Sequence, residues 1–190
     1  KVSSMIEDEI KKSLYHAATY ESVETIVDSA FAPFDDPAFY NNTVELCKLS
    51  IAIDKFDRES EDEKSTMAIY NGSYQTSFAL NEYREAKKEY NIAIANKTKA
   101  EEEEAKDLAE KLKADIEQGK KFIGFKAYHR YRANTNAGMN AFGNALFIFN
   151  KDMSHIIAVY DIDGKEFKAV QTAYKQMKGE STMTDNISLD

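Results

Sequence analysis

The side chains with most to offer a ligand stand together in one alternating stretch. They are Tyr128, Arg130 and Arg132, followed by Asn134 and Asn136. A guanidinium presents a rigid fork of donors that fits carboxylate, phosphate or sugar oxygens, and it also stacks on aromatic rings. Residues two apart share one face of an extended strand. The spacing therefore predicts a row of donors beside a ring, running off a strand into an Asn-rich turn. That is binding chemistry for an anionic or sugar-like ligand. A simpler structural reading competes with it. Glu24 and Asp28 lie on one face of another alternating stretch, with charge opposite to Lys126, Arg130 and Arg132. If the two stretches are neighbouring strands, the acids simply neutralise the arginines.

Acid–base chemistry has two named candidates, His129 and Asp161. The three histidines, His16, His129 and His155, are scattered, with no H-E-x-x-H or i, i+4 pair for a metal. His129 alternates with Phe125, Ala127 and Tyr131, so a hydrogen-bonded structural histidine competes with a general base. Asp161-Ile162-Asp163-Gly164 matches part of a calcium loop, but Val159 precedes it where a ligand is needed and Val170 replaces the closing glutamate. Asp163 reads better as a helix cap. The acidic run Glu101–Glu104 reads as a solvated helix face. There is no glycine-rich phosphate loop, no G-x-S-x-G and no Cys/His constellation. No cofactor and no metal is expected.

Four sequons begin at Asn41, Asn71, Asn96 and Asn186. They matter only in a eukaryotic secretory route. The single cysteine, Cys47, rules out an intrachain disulfide and reads as packing. Net charge is −8, from 33 acidic against 25 basic side chains, which argues against sequence-independent nucleic-acid binding. No apolar run approaches the roughly 20 residues that a membrane span needs.

The elements that must position these residues follow from periodicity. Residues 122–163 read as three antiparallel strands, 122–133, 142–150 and 156–162, joined by polar turns. In the first, Ile123, Phe125, Ala127, His129, Tyr131 and Ala133 form the better core face. The second is apolar on both faces, which suits a central strand or one beside a partner surface. Upstream, residues 22–31 alternate as a strand that joins the meander beside 122–133. A helix is expected over 4–18, with a capping box from Ser4 to Glu7. Asp36 followed by Pro37 starts a long helical segment. Asn71-Gly72-Ser73 is the clearest breaker, and residues 65–70 read as either helix or extended chain.

From residue 74 to 118 there is neither Gly nor Pro, and a long helix is expected with a polar middle at 96–104 and a stop at Gly119. After the meander, Asp163 to Glu166 has capping-box spacing, and Phe167, Val170, Tyr174 and Met177 make an amphipathic helix closed by Gly179. Residues 180–190 carry no pattern. The expected fold is α+β: an antiparallel three- to four-stranded sheet packed with N- and C-terminal helices. A long antiparallel helical hairpin, residues 37–118, is inserted after the first strand. The whole of 1–190 reads as one domain with that arm and a tail.

The segments ESVETIVDSAFAPFDDPAF and KFIGFKAYHRYRANTNAG, separated by long helices and followed by FNKDMSHIIAVYDID, resemble an uncharacterised family of small exported lipoproteins of Bacteroidetes. The resemblance covers most of the chain. It implies a place in the periplasm or outer cell envelope and a removed signal segment. It supplies no activity, cofactor or catalytic residue. The lipidated cysteine of such proteins is not among these residues. Two functions stand open: a non-catalytic envelope protein binding a partner protein or glycan through the sheet face and turns, and a small enzyme using groups near His129 and Asp161.

Overall fold

Four strands form one antiparallel meander in chain order, β1 (Glu21–Ala32), β2 (Lys121–Asn134), β3 (Asn140–Phe149) and β4 (Ile156–Asp161). Among the described residues four α-helices complete an α+β architecture: α1 (Val2–Ser13), α2 (Pro37–Tyr70), α3 (Ser77–Glu117) and α4 (Lys165–Met177). The computed structural model describes residues 2–70 and 77–180. By backbone proximity the chain divides into two compact units. One is Lys1–Val44 with Leu112–Asp190; the other is Glu45–Lys111.

In the first unit the sheet register sorts side chains onto two faces, because directly opposed residues in antiparallel strands project to the same side. Thr25, His129, Ala145 and Asp161 form one row, and Val27, Ala127, Phe147 and Val159 the next. This is the His129 face. Ile6 and Ile10 of α1 pack on it against Ala127, Ala145, Phe147 and Phe149, all buried. The opposite, Arg130 face carries the rows Glu21–Arg132–Phe142, Glu24–Arg130–Asn144, Ile26–Tyr128–Leu146–Tyr160 and Asp28–Lys126–Ile148–Ala158. Tyr40 at the start of α2, and Phe167 and Val170 of α4, cover Leu146 and Ile148. Five consecutive residues of β3, 145–149, are buried. This is the central strand expected of its two apolar faces.

Several local expectations change. A register shift opposite Ala30 and Phe31 leaves Ile123 as the extra residue of a bulge next to Gly124. Ile123 consequently packs in the Arg130-face core, while the ring of Phe122 meets Phe125 and Phe31. The alternation had put them the other way round. Gly124 is buried, and a Cβ there would strike the carbonyl oxygen of Phe149. Helix α1 is already helical at Val2 and ends at Ser13, so Ser4 lies inside it and caps nothing; a short 3-10 turn, Ala17–Thr19, follows. The cap of α4 is Gly164, with no side-chain bond. Asp163 instead accepts from Asn144 Nδ2 (2.8 Å). Residues 65–70 are helical as part of α2.

Other signals held. Asp36 Oδ1 accepts from the Ala38 N–H (2.9 Å) at the start of α2. Gly119 and Gly179 adopt positive φ (80° and 74°) just past α3 and α4. In the second unit Cys47 and Leu49 are buried and the stretch 96–104 of α3 is largely exposed, apart from Thr98. The breaker Asn71-Gly72-Ser73, expected to turn α2 into α3, and the tail 181–190 lie outside the described residues.

Candidate functional site

The strand β2 places Tyr128, Arg130, Arg132 and Asn134 on one face, and register brings Glu24 directly opposite Arg130 and Asp28 directly opposite Lys126. The charged faces of β1 and β2 therefore coincide, but the pairing they make is different from simple neutralisation. Arg132 alone turns to β1, donating from Nε to Glu21 Oε2 (2.7 Å) with a second bond from Nη2. Arg130 leans diagonally over the ring of Phe142, its guanidinium carbon 4.4 Å from the centroid. Among the described residues it has no carboxylate partner. Lys126 turns toward the far end of the sheet, where its Nζ donates to both oxygens of Asp35 (2.9 and 3.2 Å).

Asp35 is a residue whose role the sequence did not reveal. It is 4% exposed and also accepts from the Phe31 N–H (2.8 Å). Burial acts most strongly on Lys126 and opposes its charge. The hydrogen bond and charge of Asp35 outweigh that together, so the ammonium titrates above the ordinary lysine range. The only hint in sequence was the Asp-Asp-Pro run, in which the second aspartate was the evident cap.

The rest of the Arg130 face lies open toward β1 and the β2–β3 turn. Ile26 and Phe142 are 54% and 56% exposed, and Tyr128 is also exposed. Ile26 is directly opposite Tyr128, and Phe142 is directly opposite Arg132. The result is an apolar and aromatic patch threaded by one uncommitted guanidinium. Asn134 stands opposite Asn140 at the strand end, where its side-chain oxygen meets Asn140 Nδ2 (3.4 Å). Asn136 is exposed in the turn that Gly138 closes. The structure thus gathers Tyr128, Arg130 and Arg132, sets the two asparagines at the rim, and adds Ile26 and Phe142. Phe142 had a signal in the sequence: it begins the run whose double-sided apolar character suggested a covered strand or a partner surface.

The proposed acid–base pair is arranged for structure. His129 is 3% exposed, with Nε2 2.9 Å from the Tyr20 hydroxyl and Nδ1 2.8 Å from Thr25 Oγ1. Burial lowers its pKa, holding the ring neutral. Both nitrogens are occupied, so the ring is a buried tie between β1, β2 and the turn after α1. Asp161 shares its row but is separated from it by Ala145 on β3, roughly 10 Å across two strand spacings. Its Oδ1 accepts from the Asp163 N–H (3.0 Å).

The remaining sequence candidates have local explanations. Thr43 and Thr98 are buried in helices and donate to the carbonyls of Phe39 (2.8 Å) and Ile94 (3.1 Å). The sequons at Asn41 and Asn96 are thereby locked into helical backbone. Those at Asn71 and Asn186 lie outside the described residues. Burial raises the pKa of the Cys47 thiol, which disfavours the reactive thiolate. Among the described residues no group of three acidic, histidine or cysteine side chains is placed to hold a metal. No described helix is long and apolar enough to cross a membrane. Comparison with protein-family models, with curated proteins and with solved structures yields no match.

Proposed function

We propose that the protein is a non-catalytic binding protein that engages a partner protein through the open half of the Arg130 face. The observation that carries this reading is the combination of Arg130, which has no carboxylate partner among the described residues and lies over the ring of Phe142, with the exposed side chains of Ile26 and Tyr128. Arginine and aromatic residues are the types that dominate the energetics of protein interfaces, and an arginine already held over a ring has less freedom to lose on binding. Exposed apolar side chains in one patch favour a protein partner over a polysaccharide, for which rings and donors suffice. The buried, doubly bonded His129 supports a structural role for the residue that an acid–base enzyme would need as its base.

The envelope location implied by the resemblance belongs to the same proposal and is tested by fractionating the native cells. The binding surface is tested with a photo-cross-linking residue at position 142 and a control at position 157, which is exposed on β4. A discrete adduct from position 142 that disappears on Arg130→Ala is expected. Binding to an envelope glycan array that Arg130→Ala removes would shift the reading to a glycan. A partner whose binding survives both Arg130→Ala and Phe142→Ala would overturn it.

A further inference from the structure

The two edges of the sheet are built differently. β4 is six residues long, and its pairing with β3 is interrupted by a register shift. Short, irregular edges resist the addition of another strand. β1 is twelve residues long, and only Ala30 is buried. Its C-terminal end is capped by carboxylates, since Asp28 Oδ1 takes the Ser29 N–H (2.7 Å) and Asp35 Oδ2 takes the Phe31 N–H. Among the described residues no side chain caps the main chain of residues 25–27.

The charges on that edge are also unbalanced. Arg130 and Lys126 sit directly opposite Glu24 and Asp28, yet each turns away, to Phe142 and to Asp35. Glu24 and Asp28 are exposed, four residues apart on one face, and neither has an ionic partner among the described residues. Ile26 lies between them on the same face. On the other face Val27 is exposed beside the half-exposed Thr25.

We infer that β1 is an acceptor edge for an extended protein segment of pattern basic–x–apolar–x–basic. Such a segment would add a fifth strand, meeting the free main-chain groups with its own backbone. Its basic side chains would fall opposite Glu24 and Asp28, and its apolar one opposite Ile26. The pattern is symmetric about its centre, so it serves a parallel or an antiparallel partner strand. A second copy of this chain is a poor occupant. Two β1 strands side by side would bring both copies of Glu24 and Asp28 onto one face, and like charges across strands repel. The inference shares Ile26 with the patch around Phe142, but its selectivity rests on the strand edge and its carboxylates.

The probe is a capped eleven-residue peptide of alternating threonines that contains Lys-Thr-Val-Thr-Lys, compared with the same peptide carrying Glu for Lys. Binding to the full chain is followed by amide NMR titration. The lysine peptide should bind at least tenfold more tightly, with shifts and slowed amide exchange centred on residues 23–28. Glu24→Gln combined with Asp28→Asn, which preserves side-chain size, should bring the preference to near unity. Phe142→Ala should leave it unchanged, so that this inference and the patch reading fail separately. Equal binding of the two peptides, shifts centred on Phe142, or a preference that survives the double substitution would overturn it. Concentration-dependent dimerisation that the double substitution strengthens would assign the edge to a second copy and overturn the basic segment.

Discussion

The two faces of the sheet deal with polar side chains in opposite ways. On the His129 face, α1 packs on the core, and the buried His129 ring is held at both nitrogens by hydroxyls. On the Arg130 face, cover extends only over the β3–β4 side and the far end of β1. There the charges that burial reaches, Lys126 and Asp35, are matched to each other, while Glu24, Asp28 and Arg130 stand exposed without an ionic partner among the described residues. Burial without a partner is costly, whereas an exposed charge loses little by standing alone. On this face, among the described residues, the unpaired charges lie where the cover ends, and that region is the binding surface proposed for this protein.

The sharpest way to break this contrast is to remove a buried partner. Lys126→Met strands the Asp35 carboxylate at 4% exposure and should cost about 3–5 kcal/mol in urea unfolding. A loss below about 1 kcal/mol would mean that Asp35 is hydrated and the covered zone is smaller than drawn. The stabilising effect of the raised Lys126 pKa is present at neutral pH and is lost as alkali carries the solution through that raised value.

His129→Phe leaves the Tyr20 and Thr25 hydroxyls without their partner and should cost about 1–3 kcal/mol. It also carries a pH signature. The folded state binds a proton at His129 less readily than the unfolded chain, whose value is near 6.5. The unfolded state then takes up more protons as pH falls below that value, and stability declines until pH passes beneath the folded value. Thermal melts of wild type between pH 7 and pH 5 should show a decline that the phenylalanine variant lacks in part. Equal slopes in both proteins would remove His129 from the account.

On the open half, effects should be small for stability and large for binding. Arg132→Ala removes an exposed ion pair, and Arg130→Ala removes an exposed cation–ring contact; each should change stability by only about 0–1 kcal/mol. A larger loss for Arg130→Ala would mark it as a structural residue and weaken its role in recognition. The smallest effect concerns Tyr160, whose hydroxyl is buried with no hydrogen-bond partner among the described residues. Burial, with Asp36 and Asp35 nearby, pushes its pKa up to about 12. Tyr160→Phe should therefore be neutral or stabilising by up to about 1 kcal/mol, measured as a shift in the urea midpoint.

Period-two alternation was enough to place β1 beside β2 and to put Glu24 and Asp28 opposite their basic neighbours, because side-chain parity in a strand is a strictly local property. What alternation could not show is where a long flexible side chain goes after leaving the backbone. Lys126 reaches Asp35 rather than Asp28, and Arg130 reaches Phe142 rather than Glu24, since those choices depend on which helix covers which square of the sheet. The bulge at Ile123 was hidden for a related reason. It lies next to Gly124, which is packed so close to the Phe149 carbonyl of the neighbouring strand that a side chain there would clash, a contact no local pattern records. The expected helix starts at Ser4 and Asp163 failed because serine and aspartate spacing marks only a possible cap: α1 is already helical at Val2, and α4 is capped by Gly164.

Gly124 also gives β2 two reading frames. From Phe125 onward, odd-numbered residues address the layer beneath α1 and even-numbered residues the layer beneath α4. Before the slip the addresses exchange, so Phe122 reports to the first layer and Ile123 to the second. A strand without such a slip can deliver its entry residues in only one phase. With it, neighbouring hydrophobic side chains are dealt to different layers at the place where the chain arrives from α3. The single unpaired residue thus acts as a phase shifter, matching the helix exit to a sheet whose parity is set further along by β3.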